Sequence, residues 1–157
     1  MTTDLSYTLA GWREWVSLPG IGVPWVKAKL DTGARTSAIH AFDIEEFAKG
    51  GDTWVRYSIH PWQRSDEGAV DVESKVEDLR TVRSSSGYAE ERIVVMMDIR
   101  LMARTITAEV TLSRRDEMGF RMLVGREALR QGFVVDPSRS YVGRRPPRST
   151  RRRNRGR

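Results

Sequence analysis

The tripeptide Asp31-Thr32-Gly33 is the segment of this sequence whose residue types could most directly carry out chemistry. It follows Val26, Ala28 and Leu30, which alternate with polar residues as in a half-buried β-strand. A carboxylate at the end of a strand can activate water for hydrolysis when a second carboxylate lies a few Å away, because the two then share one proton. Taken alone, however, Asp-Thr-Gly is also an ordinary turn, in which Asp accepts backbone N–H bonds.

A second segment favours the catalytic interpretation. The apolar triplet Met122-Leu123-Val124 is followed by Gly125, Arg126 and a stretch that can form one or two helical turns. With the extended motif Leu-Asp-Thr-Gly-Ala-Arg-Thr-Ser at 30–37, this order resembles the retropepsins. In that family Asp-Thr-Gly-Ala ends a strand, and a later apolar-apolar-Gly-Arg segment crosses behind it into a short helix and a last strand.

The resemblance extends to a narrower bacterial family labelled "ATP-dependent zinc protease". Three further segments resemble that family's motifs, namely 83–87 (Arg-Ser-Ser-Ser-Gly), 112–118 and 135–141. Its members are often encoded with, or fused to, ATP-grasp glutamate ligases, so such a ligase is an expected partner. The implied fold is all-β, a small closed barrel with one short helix near the C-terminal end, working as a homodimer.

The resemblance also assigns the site. Asp31 is the expected catalytic carboxylate, Thr32 would lock two loops together, and Gly33 would leave its N–H free for the carboxylate. No other Asp is followed by Ser/Thr-Gly, so the second carboxylate must come from a second chain, which a two-fold interface supplies. The expected substrate-binding residues are Ala34, Arg35, Ser85, Ser86 and Gly87, the last three as the tip of a flap, and the expected loop supports are Gly125 and Arg126. An ordinary exposed hairpin is the alternative to a flap.

Arg35 departs from the retropepsin pattern, in which this position is often acidic. Arg126 then lacks its local carboxylate partner, so the loop must be supported differently. Arg35 either binds a carboxylate of the substrate or pairs with Glu45 or Glu46. The first alternative, together with the link to glutamate ligases, predicts an acidic peptide or protein substrate. The predicted function is an aspartic endopeptidase. The alternative is a catalytically idle peptide-binding module that acts with an ATP-grasp ligase.

Neither half of the label "ATP-dependent zinc" is supported by the residues, and we expect no cofactor and no metal. The histidines are His40 and His60 alone, there is no cysteine, and no His-Glu-x-x-His motif is present. A structural role is expected for His40. No Gly-rich Lys-Ser/Thr phosphate loop occurs either. The five tryptophans are expected to serve core and dimer packing rather than ligand stacking.

The net charge of +6 is concentrated at the C-terminal end. Residues 144–157 contain eight of the 27 basic residues and no acid, which leaves 19 basic against 21 acidic residues in the body. We therefore expect a peptidase domain over 1–143 and a disordered Arg-rich tail over 144–157 that binds nucleic acid non-specifically, while the body is no basic platform. The N-terminal residues show no basic, apolar leader, so a cytoplasmic location is the expectation.

Local patterns predict the remaining elements. A single strand is expected within 8–18, a short helix over 42–48, a strand over 53–59 and a surface loop over 63–75. Leu79 to Arg83 and Arg92 to Leu101 flank a Ser-Gly turn and predict a long hairpin.

Overall fold

The computed structural model describes residues 6–62, 68–83, 86–114 and 119–153, without the side chains of 152 and 153. Within these ranges the chain forms twelve strands, a single 3-10 turn at Pro19–Ile21 and two short helices, which confirms a mostly-β protein. The strands are β1 (Thr8–Gly11), β2 (Arg13–Leu18), β3 (Val23–Asp31), β4 (Ser37–His40), β5 (Phe42–Lys49), β6 (Asp52–Ile59), β7 (Val70–Lys75), β8 (Asp78–Arg83), β9 (Ala89–Leu101), β10 (Arg104–Ser113), β11 (Met122–Gly125) and β12 (Phe133–Asp136). The helices are α1 (Arg126–Leu129) and α2 (Arg148–Arg153).

Seven strands form the main sheet in the order β10-β4-β11-β3-β2-β9-β8, and β10 also pairs with β9. Alternation along the strands places one face inside: Val26, Ala28 and Leu30 of β3 are at most 5% exposed, whereas the residues between them are half-buried. Strands β5, β6 and β7 form a second sheet, and β1 pairs in parallel with β12 in a third. Neither helix in the described ranges has the length or apolar content needed to span a membrane.

Several local predictions were wrong. The expected helix at 42–48 is β5, which pairs antiparallel with β6 through Phe47 and Trp54. Glu45 and Glu46 have a helix propensity that is only a weak local preference. Pairing of this segment with the neighbouring strand β6 outweighs that preference. The expected loop at 63–75 contains β7, which completes the same sheet, and the expected strand within 8–18 divides into β1 and β2.

One described segment of the C-terminal tail, for which disorder was expected, is helical. This segment is helix α2, and the Arg151 amide donates to the Pro147 carbonyl at 3.0 Å. Pro146, immediately before, is buried, and the Arg151 side chain donates to its carbonyl at 3.2 Å.

Glu14 attaches the chain beyond β12 to the rest of the fold. Its side chain is fully buried, and its carboxylate accepts backbone N–H bonds from Gly11 at 2.7 Å, Val142 at 2.9 Å and Gly143 at 3.0 Å. Two further backbone bonds join the same segments: the Trp12 amide donates to the Arg139 carbonyl and the Tyr141 amide to the Arg13 carbonyl, both at 2.9 Å. Residues 139–143 are therefore part of the folded body.

Replacing Glu14 with Gln should lower the free energy of unfolding by about 2–4 kcal/mol. The amide nitrogen of Gln would face a buried N–H group, so that at least one donor loses its acceptor. Urea unfolding measures the change, with Glu46→Gln as the control because Glu46 is exposed on β5. Equal midpoints for the two variants would contradict this role of Glu14.

Candidate active site

Asp31 is the last residue of β3 and begins the loop that leads to β4. Its Oδ1 accepts the Gly33 N–H at 2.9 Å, and its carbonyl accepts the Ala34 N–H at 3.2 Å, which closes a turn. Asp31 is half-buried, while Thr32 and Gly33 are exposed. The carboxylate is therefore held by its own loop at the protein surface.

Strand β11 lies between the two strands that this loop connects. It runs parallel to β3, with Gly125 opposite Asp31, and antiparallel to β4, with Leu123 opposite Ala38. A Cβ at Gly125 would lie 2.7 Å from the Thr36 carbonyl carbon and 3.0 Å from the Ala34 oxygen. Only glycine lets the loop pass this close, so the Asp31 loop is packed directly against the end of β11.

Arg126 holds the loop through its carbonyl groups. Its guanidinium Nη1 donates to the Thr32 oxygen at 3.0 Å, and its backbone N–H donates to the Ala34 oxygen at 2.7 Å. The next amide, of Glu127, donates to the Arg35 oxygen at 3.0 Å. Backbone carbonyls thus serve as partners of Arg126 where retropepsins often place an acidic side chain.

Ser37 is a supporting residue that sequence reasoning did not identify. It is fully buried, its Oγ accepts the Gly125 N–H at 3.0 Å, and its carbonyl accepts the Thr111 hydroxyl at 3.2 Å. The only signal in the sequence is a polar residue at the start of the apolar run Ser37-Ala38-Ile39, where a buried hydroxyl needs a partner.

The side chain of Arg35 is exposed and turns toward a cavity of about 290 Å³ that Glu109 and Glu127 also line. In the described part of the chain it forms no salt bridge with Glu45 or Glu46, the pairing that was one alternative. The guanidinium is therefore available to a ligand, although two carboxylates of the protein border the same cavity.

The hairpin β8–β9 is confirmed, and its base lies beside the Asp31 loop. Arg80 of β8 and Met96 of β9 line the same cavity as Arg35 and Thr36. At the tip, Ser84 and Ser85 lie outside the described residues. Gly87 has φ +86° and nothing within 4 Å of the place of a Cβ. A hairpin whose base lies beside the loop, with open space around Gly87, is compatible with a flap, and the flap role stays a prediction.

Gly87→Val should reduce turnover at least about fivefold, because a β-branched residue at positive φ strains and distorts the tip although it meets no neighbour. Gly51→Val is the matched control. Gly51 has φ +83° in the β5–β6 turn and equally open surroundings, so both variants carry the same backbone strain. An equal loss of turnover in the two variants would exclude a special role for the tip.

No group of three or more His, Asp or Glu in the described ranges is arranged to hold a metal ion. His40 ends β4, with its Nδ1 buried and its ring 6.5 Å from that of Phe42. The ring of His60 lies 4.1 Å from that of Phe42. The histidines are thus grouped around one aromatic ring rather than around a ligand set.

A catalytic-type Asp-Thr-Gly loop, a Gly-Arg strand behind it and a flap-like hairpin define the class of retropepsin-like proteins. Residues 9–146 match the profile of the RimB-like family, described as retropepsin-like aspartic endopeptidase RimB. The chain therefore belongs to the RimB-like family.

Relatives of this chain carry the name of a different enzyme. It is 45% identical over 133 residues to a probable alpha-L-glutamate ligase of Shewanella pealeana, and 40% identical over 138 residues to one of Desulfotalea psychrophila. These matches cover 85% and 88% of this chain but 29% and 30% of the relatives, so the chain spans less than a third of their length.

A solved structure shows the same fold. A Legionella pneumophila protein described as having unknown function (DUF785) superposes with a TM-score of 0.72 and 26% sequence identity. The alignment covers 87% of this chain and 98% of that one. The predicted resemblance to a family associated with glutamate ligases is thus confirmed.

Proposed function

We propose that the chain is one subunit of a homodimeric aspartic endopeptidase whose catalytic dyad consists of Asp31 from each of two chains. The observation that carries the proposal is the fixed position of the Asp31 carboxylate at the surface, in a loop held by Gly125 and Arg126. The pairing of β10 with both β4 and β9 further supports a closed barrel behind this loop. Hydrolysis of a degenerate peptide library by the wild type and by Asp31→Asn tests the proposal.

In the proposed mechanism the two carboxylates share one proton. The ionised member takes a proton from water as water attacks the scissile carbonyl, and the protonated member polarises that carbonyl and supplies a proton to the leaving nitrogen. The titration belongs to the pair rather than to either residue. The Gly33 N–H, bonded to the Asp31 Oδ1, keeps the carboxylate oriented through the cycle.

The sheet of β1 and β12 is the surface best suited to dimerisation. As a two-stranded sheet it leaves an outer edge on each strand. Tyr7, Leu9 and Val134 are 59%, 41% and 47% exposed, and Leu9 lies opposite Val134 in the strand pair. An apolar surface with unpaired backbone groups can pair with its own copy across a two-fold axis.

Val134→Lys should shift the dimer dissociation constant upward at least about tenfold, because two like charges would then face each other near the axis. Sedimentation velocity over a concentration series measures the shift, and peptidase activity should fall at low concentration and recover at high concentration. Leu79→Lys is the control, since Leu79 is 50% exposed on β8, far along the chain from this sheet. An unchanged dimer dissociation constant for Val134→Lys would show that this sheet is not the dimer interface.

A catalytically idle peptide-binding module acting with an ATP-grasp ligase is the second candidate, favoured by the names of the relatives. In the Shewanella and Desulfotalea proteins the matching segment is part of a chain named a ligase. This candidate predicts that the wild type and Asp31→Asn bind the same peptides equally and that neither cleaves them. On either account Arg35 beside the loop supports an acidic peptide as the ligand.

A further inference from the structure

The outward face of β2 and β3 combines aromatic and basic residues. Arg13 lies opposite Lys29 and Trp15 opposite Lys27 in the strand pair, and all four side chains are half-buried. Their strand neighbours, such as Glu14 and Ala28, point into the body. The segment after β12 adds a ring to this face. We call it the aromatic-basic face, defined by Arg13, Trp15, Trp25, Lys27, Lys29 and Tyr141.

Rings and cations interleave closely on this face. The Arg13 Cζ lies 4.9 Å from the centre of the Tyr141 ring, and the Lys27 Nζ lies 5.3 Å from that of Trp15. The rings of Trp15 and Tyr141 are 6.3 Å apart. These spacings are those of cation–π and aromatic contacts, so the rings are fixed in place while part of each stays at the surface.

A cavity opens at each end of the face. One of about 450 Å³ is lined by Trp25, Arg100 and Arg144, among others. The other, of about 280 Å³, is lined by Lys29 together with Trp12 and Phe120. Basic and aromatic side chains therefore line both cavities as well as the surface between them.

Several cations elsewhere in the fold are paired with carboxylates of the protein. In the described ranges the salt bridges involve acids such as Glu73, Asp78 and Glu109, while Arg13, Lys29 and Arg100 bridge to no described carboxylate. Partial burial and the neighbouring Arg13 charge lower the pKa of Lys27, as expected where cations crowd together. An anionic ligand would relieve that repulsion.

We propose that the aromatic-basic face binds single-stranded nucleic acid. Unpaired bases can stack on the part of each ring that stays at the surface, and cations between the rings neutralise the phosphates. Double-stranded nucleic acid would leave the rings unused, because its bases are already stacked. An acidic peptide would pair with the cations but would not stack on the aromatic rings. The proposal is independent of the peptidase reaction, since it assigns no role to the Asp31 carboxylate.

The test measures fluorescence anisotropy of a labelled single-stranded RNA of about twelve uridines between about 50 and about 200 mM salt. All proteins are full-length and carry Gln at five tail arginines, so that binding by residues 151–157 does not contribute; these are Arg151, Arg152, Arg153, Arg155 and Arg157. Lys27→Gln/Lys29→Gln should weaken binding about tenfold and reduce the slope of log K against log salt by about 1.4, since two phosphate contacts are lost. Tryptophan fluorescence should be quenched on binding.

The matched control is Lys49→Gln/Lys75→Gln, which makes the same charge change on β5 and β7. Its affinity should stay within about twofold of the parent, because both lysines lie beside carboxylates away from the face. Equal losses in the two double variants would overturn the proposal, as would loss of all RNA binding in the tail variant. Tighter binding of a poly-glutamate peptide than of the RNA at equal salt would also overturn it.

Discussion

Asp31→Asn should lower the rate of peptide hydrolysis by about a thousandfold or more while the unfolding midpoint and the dimer stay unchanged. The amide has nearly the same shape as the carboxylate and can still accept the Gly33 N–H, but it cannot take a proton from water. Initial rates on the best library peptide measure the loss.

The control for this substitution is Asp52→Asn, which removes an exposed carboxylate on β6 that lies 3.8 Å from Lys75. Its rate should stay within about twofold of the wild type, because exposed ion pairs contribute little. Chelating agents should leave the wild-type rate unchanged, since the mechanism assigns every proton transfer to the dyad. Full activity of Asp31→Asn, or inhibition by a chelator that zinc reverses, would refute the assignment.

Gly125→Ala should have the second largest effect, a loss of about a hundredfold or more in turnover with about 1–3 kcal/mol of destabilisation. The added methyl group would lie within 3.0 Å of backbone atoms of Thr36 and Ala34, so the Asp31 loop must move away from β11. That movement would stretch the bonds from Gly125 to Ser37 and from Arg126 to Ala34. A shift of a few tenths of an ångström is enough to misplace a catalytic carboxylate.

Gly20→Ala provides the comparison for this variant. Gly20 lies in the 3-10 turn, and a Cβ there would have its nearest neighbour, the Asp98 Oδ2, at 3.9 Å. Stability and turnover should therefore change little. If Gly125→Ala behaved like Gly20→Ala in both measurements, the close packing of the loop against β11 would not matter for activity.

The parts of the fold that depend on local sequence were predictable. Alternation over Val26 to Leu30 indicated β3, whereas the meeting of Asp31 with Gly125 and Arg126 was an expectation from the resemblance to retropepsins. What could not be predicted depends on contacts between distant segments. The hydroxyl of Ser37 matters because β11 arrives 88 residues later, and β5 is a strand because β6 and β7 lie beside it.

The distribution of charge also required the structure. By composition the positive charge lies in the tail, and the body has slightly more acidic than basic residues. The sequence therefore predicted no basic surface on the body. In the folded chain Arg13, Lys27 and Lys29 face one side, while acids such as Glu73 and Glu109 pair with cations elsewhere. Four of the five tryptophans are half-buried rather than core residues, and Trp62 alone is buried. A net charge near zero thus conceals an uneven surface.

The most direct test of the central claim mixes wild-type chains with Asp31→Asn chains at a fixed total concentration high enough for dimers to form. If the active site needs Asp31 from both chains, only wild-type pairs are active, and the rate falls with the square of the wild-type fraction. A mixture of equal parts should then retain about a quarter of the wild-type rate after subunit exchange. A rate that falls in direct proportion to the wild-type fraction, to about half in the same mixture, would show that each chain works alone and would contradict the shared dyad.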